Sequence, residues 1–438
     1  NMRTYIKLRE INLKSFLNKQ FKKELFLMKK VMIVSVFVFL TLFLASGTIL
    51  AEYQTSEIVE SEDMILIDSR SAYSYNGWSI DGKAGGHIPG AVLFSSKWLG
   101  NLKTNQAVKD ELKKFEIVKN KELYVYGDDS EVLVNKLNEL GYEASQIKVD
   151  LKKYNDLAKM ENFEMIVPPS WLNEKIKADQ VFVLEASWGD ESEFLKGHIP
   201  GSVHINTSAI EEGPIWNRKS DKEIIKALGQ HGINKEQSVV VYSVTDTTPA
   251  ARLASILKYV GVEDVRILDG NLKAWNAAGY ELETEKVEVE PVDFGAKKAE
   301  NPEYIIDLKE AKEVYNNANA DFIDVRSPEE FRGETTGYDY IPKAGRIKGA
   351  IYGYGGKNAY DMSDYRNPDN TMVSYTFMES RWSEQGIKAE NHNNFYCGTG
   401  WRASEVWFYA LALGWDNVSV YDGGWFEWSE NNQPVIKE

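Results

Sequence analysis

Cys397 is the only cysteine in a chain of 438 residues, and it heads the run Cys397-Gly-Thr-Gly-Trp-Arg402. A buried-looking strand pattern, Asn393-Asn-Phe-Tyr396, leads into it, and a helix pattern from Ala403 to Leu413 follows. Thiolate is the nucleophilic form of cysteine. A Gly-rich turn that enters a helix aims backbone N–H groups and the positive end of the helix dipole at such a sulfur. Gly398 and Gly400 allow the backbone angles that close the turn into a cradle. Arg402 would add a fork of donors for an oxyanion or carboxylate. The pattern predicts covalent chemistry at Cys397, as thiolate or persulfide. Gly398, Thr399, Gly400, Trp401 and Arg402 are the candidate substrate contacts, with Arg346 from an earlier turn. A single cysteine excludes an intramolecular disulfide framework, a Cys-rich zinc site and a two-thiol relay within the chain. The five histidines, at 87, 198, 204, 231 and 392, share no metal-ligand spacing on one helix, so neither metal nor cofactor is expected.

The elements that must position this loop occur three times. Each block opens on a short apolar strand ending in an acidic residue: Met64 to Asp68, Val181 to Glu185, Asp321 to Asp324. Each continues to a turn: Gly86-His-Ile-Pro-Gly-Ala91, Gly197-His-Ile-Pro-Gly-Ser202, Gly345-Arg-Ile-Lys-Gly-Ala350. A buried-type strand follows, then an amphipathic helix that stops at Gly141, Gly261 or Gly414, where a helix C-cap belongs. Last strands are expected at 147–150, 265–269 and 418–422. Apolar strands alternating with helices imply α/β domains, each a parallel sheet with helices on both faces. The residue just after the late strand sits where α/β folds bind ligands. That residue is Gly127 in the first block, Ser243 in the second and Cys397 in the third. The first two domains are therefore expected to be inactive, with scaffold or substrate-shielding roles. The third block is longer, and its extra residues, 352–382, are expected to form a surface loop over the third site. The domain bounds read as 52–165, 166–290 and 298–438, after a signal peptide at 28–51.

Asp324-Val-Arg326, the Gly-His-Ile-Pro-Gly turns, the Cys397 loop and Asp422-Gly-Gly-Trp425 together resemble the rhodanese family. The resemblance covers nearly all of residues 55–438, as three tandem copies, and is strongest to exported three-domain bacterial sulfurtransferases. It implies a Cys397 persulfide, thiosulfate or 3-mercaptopyruvate as donor, and cyanide or a thiol as acceptor. Only four residues separate Cys397 from Arg402, one fewer than the phosphatase loop requires, and the tighter cradle suits a sulfur better than a phosphoryl group. Gly398-Thr399-Gly400 is small and neutral, which tilts the expected donor toward 3-mercaptopyruvate. Arg326 is expected to brace the fold through Asp324, and His87 and His198 to fix their turns. Ser243 has no evident general base. The rival reading is a carrier that holds a persulfide for a protein partner, with little turnover on small donors.

Val31 to Leu44 is almost wholly apolar, follows Lys29-Lys30, and leads to Ala45-Ser-Gly47 and Ala51. That is a secretory signal pattern, shorter than a membrane span, with an uncleaved anchor as the alternative. Export to a periplasm or cell surface is expected, with no membrane association after cleavage. Met28 is a better start than Asn1, so residues 1–27 read as an over-extended frame. The net charge of −15 becomes −22 without residues 1–51, which hold nine basic and two acidic residues. Such a body excludes nucleic acid as a general partner.

Overall fold

A computed structural model of the chain describes residue 59 and residues 61–154 and 156–437. The expected signal peptide and residues 1–27 lie outside the described residues. Among those described, no helix is long and apolar enough to cross a membrane.

The first sheet contains β1 (Met64–Asp68), β2 (Val92–Leu93), β3 (Glu122–Tyr126) and β4 (Glu143–Gln146), in the order β2-β1-β3-β4. The second contains β5 (Ile166–Val167), β6 (Phe182–Ser187), β7 (Val203–Asn206), β10 (Val239–Tyr242) and β11 (Val265–Leu268), in the order β5-β11-β10-β6-β7. Between its strands the chain forms a small hairpin, β8 (Glu211–Glu212) and β9 (Asn217–Arg218). The third contains β12 (Ile305–Ile306), β13 (Ala320–Asp324), β15 (Ile351–Tyr352), β16 (His392–Tyr396) and β17 (Val418–Tyr421), in the order β12-β17-β16-β13-β15. Every pairing within these three sheets is parallel. A short antiparallel pair, β14 (Arg346–Ile347) with β18 (Val435–Ile436), closes the third domain. This is the α/β repeat the strand–helix alternation predicts.

Two details depart from the sequence reading. The last strand of the first domain is Glu143–Gln146, not residues 147–150. It is a polar edge strand with no buried residue, so no apolar run marks it. Residues 352–382 are also not simply a surface loop. Ala359, Tyr360 and Met362 do line a cleft together with Thr399, Trp401 and Arg402 of the Cys397 loop. The following segment wedges between domains: Trp98 Nε1 donates to Asp369 Oδ2 at 3.0 Å, and Met372 N to Asp269 Oδ1 at 2.7 Å.

The helices after the second and third loops, Thr247–Val260 and Trp401–Ala412, lie against each other. Twelve of 14 residues in the first and 11 of 12 in the second are buried. A helix apolar on all sides belongs inside a core. Here one continuous apolar cluster runs through the second and third domains, joining Leu253, Leu257, Val406 and Phe408.

Candidate active site

β16 ends at Tyr396 and delivers Cys397 to the carboxyl edge of the third sheet, 1% exposed. Gly400, at φ +95°, turns the chain into the helix, and its N–H donates to Cys397 Sγ at 3.2 Å. The free N–H groups of the first helical turn follow. The loop's carbonyls are drawn away from the sulfur. Trp425 N donates to the Cys397 carbonyl at 2.8 Å and Phe426 N to that of Gly398 at 3.1 Å. The Asp422-Gly-Gly-Trp425 motif is thus the floor of the cradle, and the loop's donors are left for the sulfur.

Arg402 is placed differently from the sequence expectation. Its two terminal nitrogens form a fork on Glu330, at 2.9 and 2.8 Å, both side chains being buried. Its guanidinium also lies over the Tyr338 ring, 5.5 Å from the centroid, and only Nε has no hydrogen-bond partner. Arg402 lines the cleft but is committed to an internal carboxylate. Arg346 is not brought to the cleft. Its Nη1 donates to the Phe331 carbonyl at 3.0 Å and its guanidinium covers the Phe331 ring at 4.4 Å. Arg326 grips Asp324 at 2.6 Å and the Gly345 carbonyl at 2.8 Å, bracing the turn as expected. His87 and His198 bond the carbonyls of Tyr75 and Phe194, each at 3.0 Å, and stack on the same residues' rings.

The cleft has a volume of about 500 Å³ and lies between the second and third domains. Thr399, Trp401 and Arg402 form its base, and Tyr338, Tyr340 and Tyr360 one wall. Trp188, Trp216 and Asp246 of the second domain form the other. Tyr338 stacks on Tyr340 at 5.1 Å, and Trp188 meets Trp216 edge-on at 6.1 Å. Burial pushes the Tyr340 phenol up to about 12, against a hydrogen bond from Thr399. Trp401 is fixed across the domain junction, its Nε1 donating to both Glu211 oxygens at 2.9 Å.

The second domain's own loop is built differently. Ser243 stands at the cysteine position, fully buried, with its hydroxyl 3.2 Å from Thr245 Oγ1. The Asp–Arg brace is replaced there by Glu185 with His204 at 2.6 Å. Sequence reading missed Glu330, the tyrosine wall and everything the second domain lends to the site. One signal was present: Arg252, the one arginine within a largely buried, mostly apolar helix.

The rhodanese-like domain family model matches residues 52–149, 168–278 and 307–431. Thiosulfate sulfurtransferase YnjE of Escherichia coli is 37% identical over 398 residues, covering 87% of this chain and 91% of its own. The crystal structure of YnjE superposes with a TM-score of 0.82 at 34% identity, over 90% of this chain and 97% of that one. EanB in complex with ergothioneine superposes with a TM-score of 0.81 at 36% identity, over 87% and 96%. Other EanB structures hold hercynine, or ergothioneine covalently linked with a persulfide cysteine. Sulfur carrier protein TtuD of Thermus thermophilus is 31% identical over 278 residues, covering 60% of this chain and 93% of its own. With three matched domains and a relative of this likeness spanning most of both chains, the chain belongs to the rhodanese family of sulfurtransferases.

Proposed function

We propose that the protein transfers sulfane sulfur through a persulfide on Cys397. The observation that carries the reading is the Gly400 N–H at 3.2 Å from Sγ, in a loop whose carbonyls are tied back to Trp425 and Phe426. The Cys397 thiolate attacks the outer sulfur of thiosulfate; the S–S bond breaks and sulfite leaves with its electron pair. With 3-mercaptopyruvate the C–S bond breaks instead, and the enolate of pyruvate takes up a proton. Cyanide or a thiolate then attacks the terminal sulfur, the product leaves as thiocyanate or a persulfide, and the Cys397 thiolate returns. Thiosulfate is favoured as donor by the names of the relatives, and 3-mercaptopyruvate by the small neutral loop. Export belongs to the same proposal, on the apolar segment 31–44.

Intact-mass spectrometry of a chain beginning at residue 52, exposed separately to each donor, tests this. A gain of about 32 Da, one sulfur, at Cys397, discharged by cyanide and absent in Cys397→Ser, is expected. Loading that persists in Cys397→Ser would remove the cysteine from the mechanism.

The aromatic walls of the cleft favour a second reading of the acceptor. Hercynine and ergothioneine, held by EanB, are imidazole betaines. Flat or cationic groups bind well between aromatic faces. Transfer from loaded protein to hercynine that outpaces transfer to cyanide would identify such an acceptor. TtuD's name keeps the carrier reading in view. Steady-state turnover with either small donor would exclude a purely partner-loaded carrier.

A further inference from the structure

The second domain has no cysteine, yet among the side chains it sends into the third is a buried arginine. Arg252 lies on the Thr247–Val260 helix and is 0% exposed. Its Nε donates to Glu211 at 3.0 Å, and Glu211 in turn holds the Trp401 indole. Its Nη2 donates to Asp422 at 2.7 Å, at the head of the turn beneath Cys397, and to the Trp216 carbonyl at 3.1 Å. Asp422 is held from the same side by Arg218 N at 2.7 Å. The remaining nitrogen, Nη1, has no hydrogen-bond partner. It sits at Gly400, 3.3 Å from where a side-chain carbon there would begin. Gly400 is the residue whose N–H meets the sulfur. Two nitrogens of one guanidinium thus hold Trp401 through Glu211 and the floor through Asp422, while the third lies beside Gly400 without a hydrogen bond. Leaving a fully buried guanidinium donor unpaired is costly.

We propose that Arg252, supplied by the domain without a cysteine, is a positioning residue for the Cys397 loop, fixing Gly400 and Trp401 and offsetting the charges of Glu211 and Asp422 beside the loop. The proposal rests on Cys397 being the nucleophile. The other titratable and charged groups around the loop are Arg402, Glu330, Asp324, Arg326, Tyr338, Tyr340, Glu211, Asp422 and Asp246. All of them stay in place in the variants below.

The test measures the rate constant for Cys397 alkylation by iodoacetamide against pH, and sulfur loading per folded molecule, in the chain beginning at residue 52. Arg252→Gln removes the charge, and its alkylation midpoint is expected to rise by about one pH unit. Arg252→Lys keeps the charge but cannot span three partners. It is expected to restore the midpoint while loading sulfur about 10-fold more slowly. Wild-type midpoints and loading rates in both variants, with only a lower melting temperature, would reduce Arg252 to a structural ion pair. Should Arg252→Gln not fold, Arg252→Lys and Trp401→Phe decide: unchanged loading in both overturns the proposal, and slowed loading in both supports it. Failure of the wild type to load sulfur from either donor sinks the Cys397 reading itself. Loading by the wild type with unaltered variants sinks only the role of Arg252.

Discussion

Glu330 determines what Arg402 can do. Burial pushes its carboxyl up, but the Arg402 fork and the nearby Arg326 outweigh burial, so its net position is below the ordinary carboxylate value. A carboxylate with a depressed folded value contributes stability above its unfolded value, about 4.3, and loses it as pH falls through the folded value. Glu330→Gln removes one partner of a buried pair, a change that costs about 3–5 kcal/mol at neutral pH. Thermal unfolding from pH 3 to 7 should show the variant well below wild type at pH 7, with the gap closing below pH 4. A gap independent of pH would show that the pair is not the source of the acid sensitivity. The fork also means that the Arg402 charge is already balanced by a carboxylate, with only the buried Nε left without a hydrogen bond.

At the scale of elements, the loop depends on the Gly424–Glu430 helix beneath it. Gly424 has φ +52°, and a side-chain carbon there would lie 2.6 Å from the Cys397 carbonyl and 2.8 Å from that of Gly398. Gly424→Ala is expected to destabilise the fold by about 1–3 kcal/mol and to slow sulfur loading, because the carbonyls it displaces set the loop's N–H directions. Loading at the wild-type rate in a stopped-flow donor assay would refute that link. Much of this level was legible in the sequence. The apolar run at residues 64–68 forms β1 as read, the glycines at 141, 261 and 414 close their helices at positive φ, and the loop glycines form the cradle. The polar strand Glu143–Gln146 was not legible, because an exposed edge has no apolar period. The Glu330–Arg402 fork was not legible either: a pairing across 72 residues leaves no local signature, and Glu330 reads as the third residue of a capping box with Ser327, which it also is.

Over the whole molecule, the third domain shares its apolar core with the second. The Trp401–Ala412 helix packs its outer face on the second domain, Ser255 and Ser404 touching at 3.2 Å, so residues 298–438 alone would present that apolar face to water. Expressed alone, that segment is expected to aggregate or bind a hydrophobic dye, whereas residues 166–438 are expected to be more soluble; comparison of soluble yields and dye fluorescence checks this. Asp269, where the inserted segment meets the second domain, is pushed up to about 8 by burial, against the Met372 N–H that it accepts. The folded state therefore keeps a proton that the unfolded chain releases near pH 4, and stability falls as pH rises from about 4 to 8. Asp269→Asn should flatten that slope and raise the melting temperature at pH 8; an unchanged slope would place the proton elsewhere. The split origin of the cradle has a consequence for the order of synthesis. Arg252 precedes Cys397 by 145 residues, and Asp422 follows it by 25. When the cysteine first emerges its floor does not yet exist, so the loop cannot close around the thiol until the following segment has been made. The cradle is thereby assembled last, once the second domain that supplies Arg252 and the turn that supplies Asp422 have both been made.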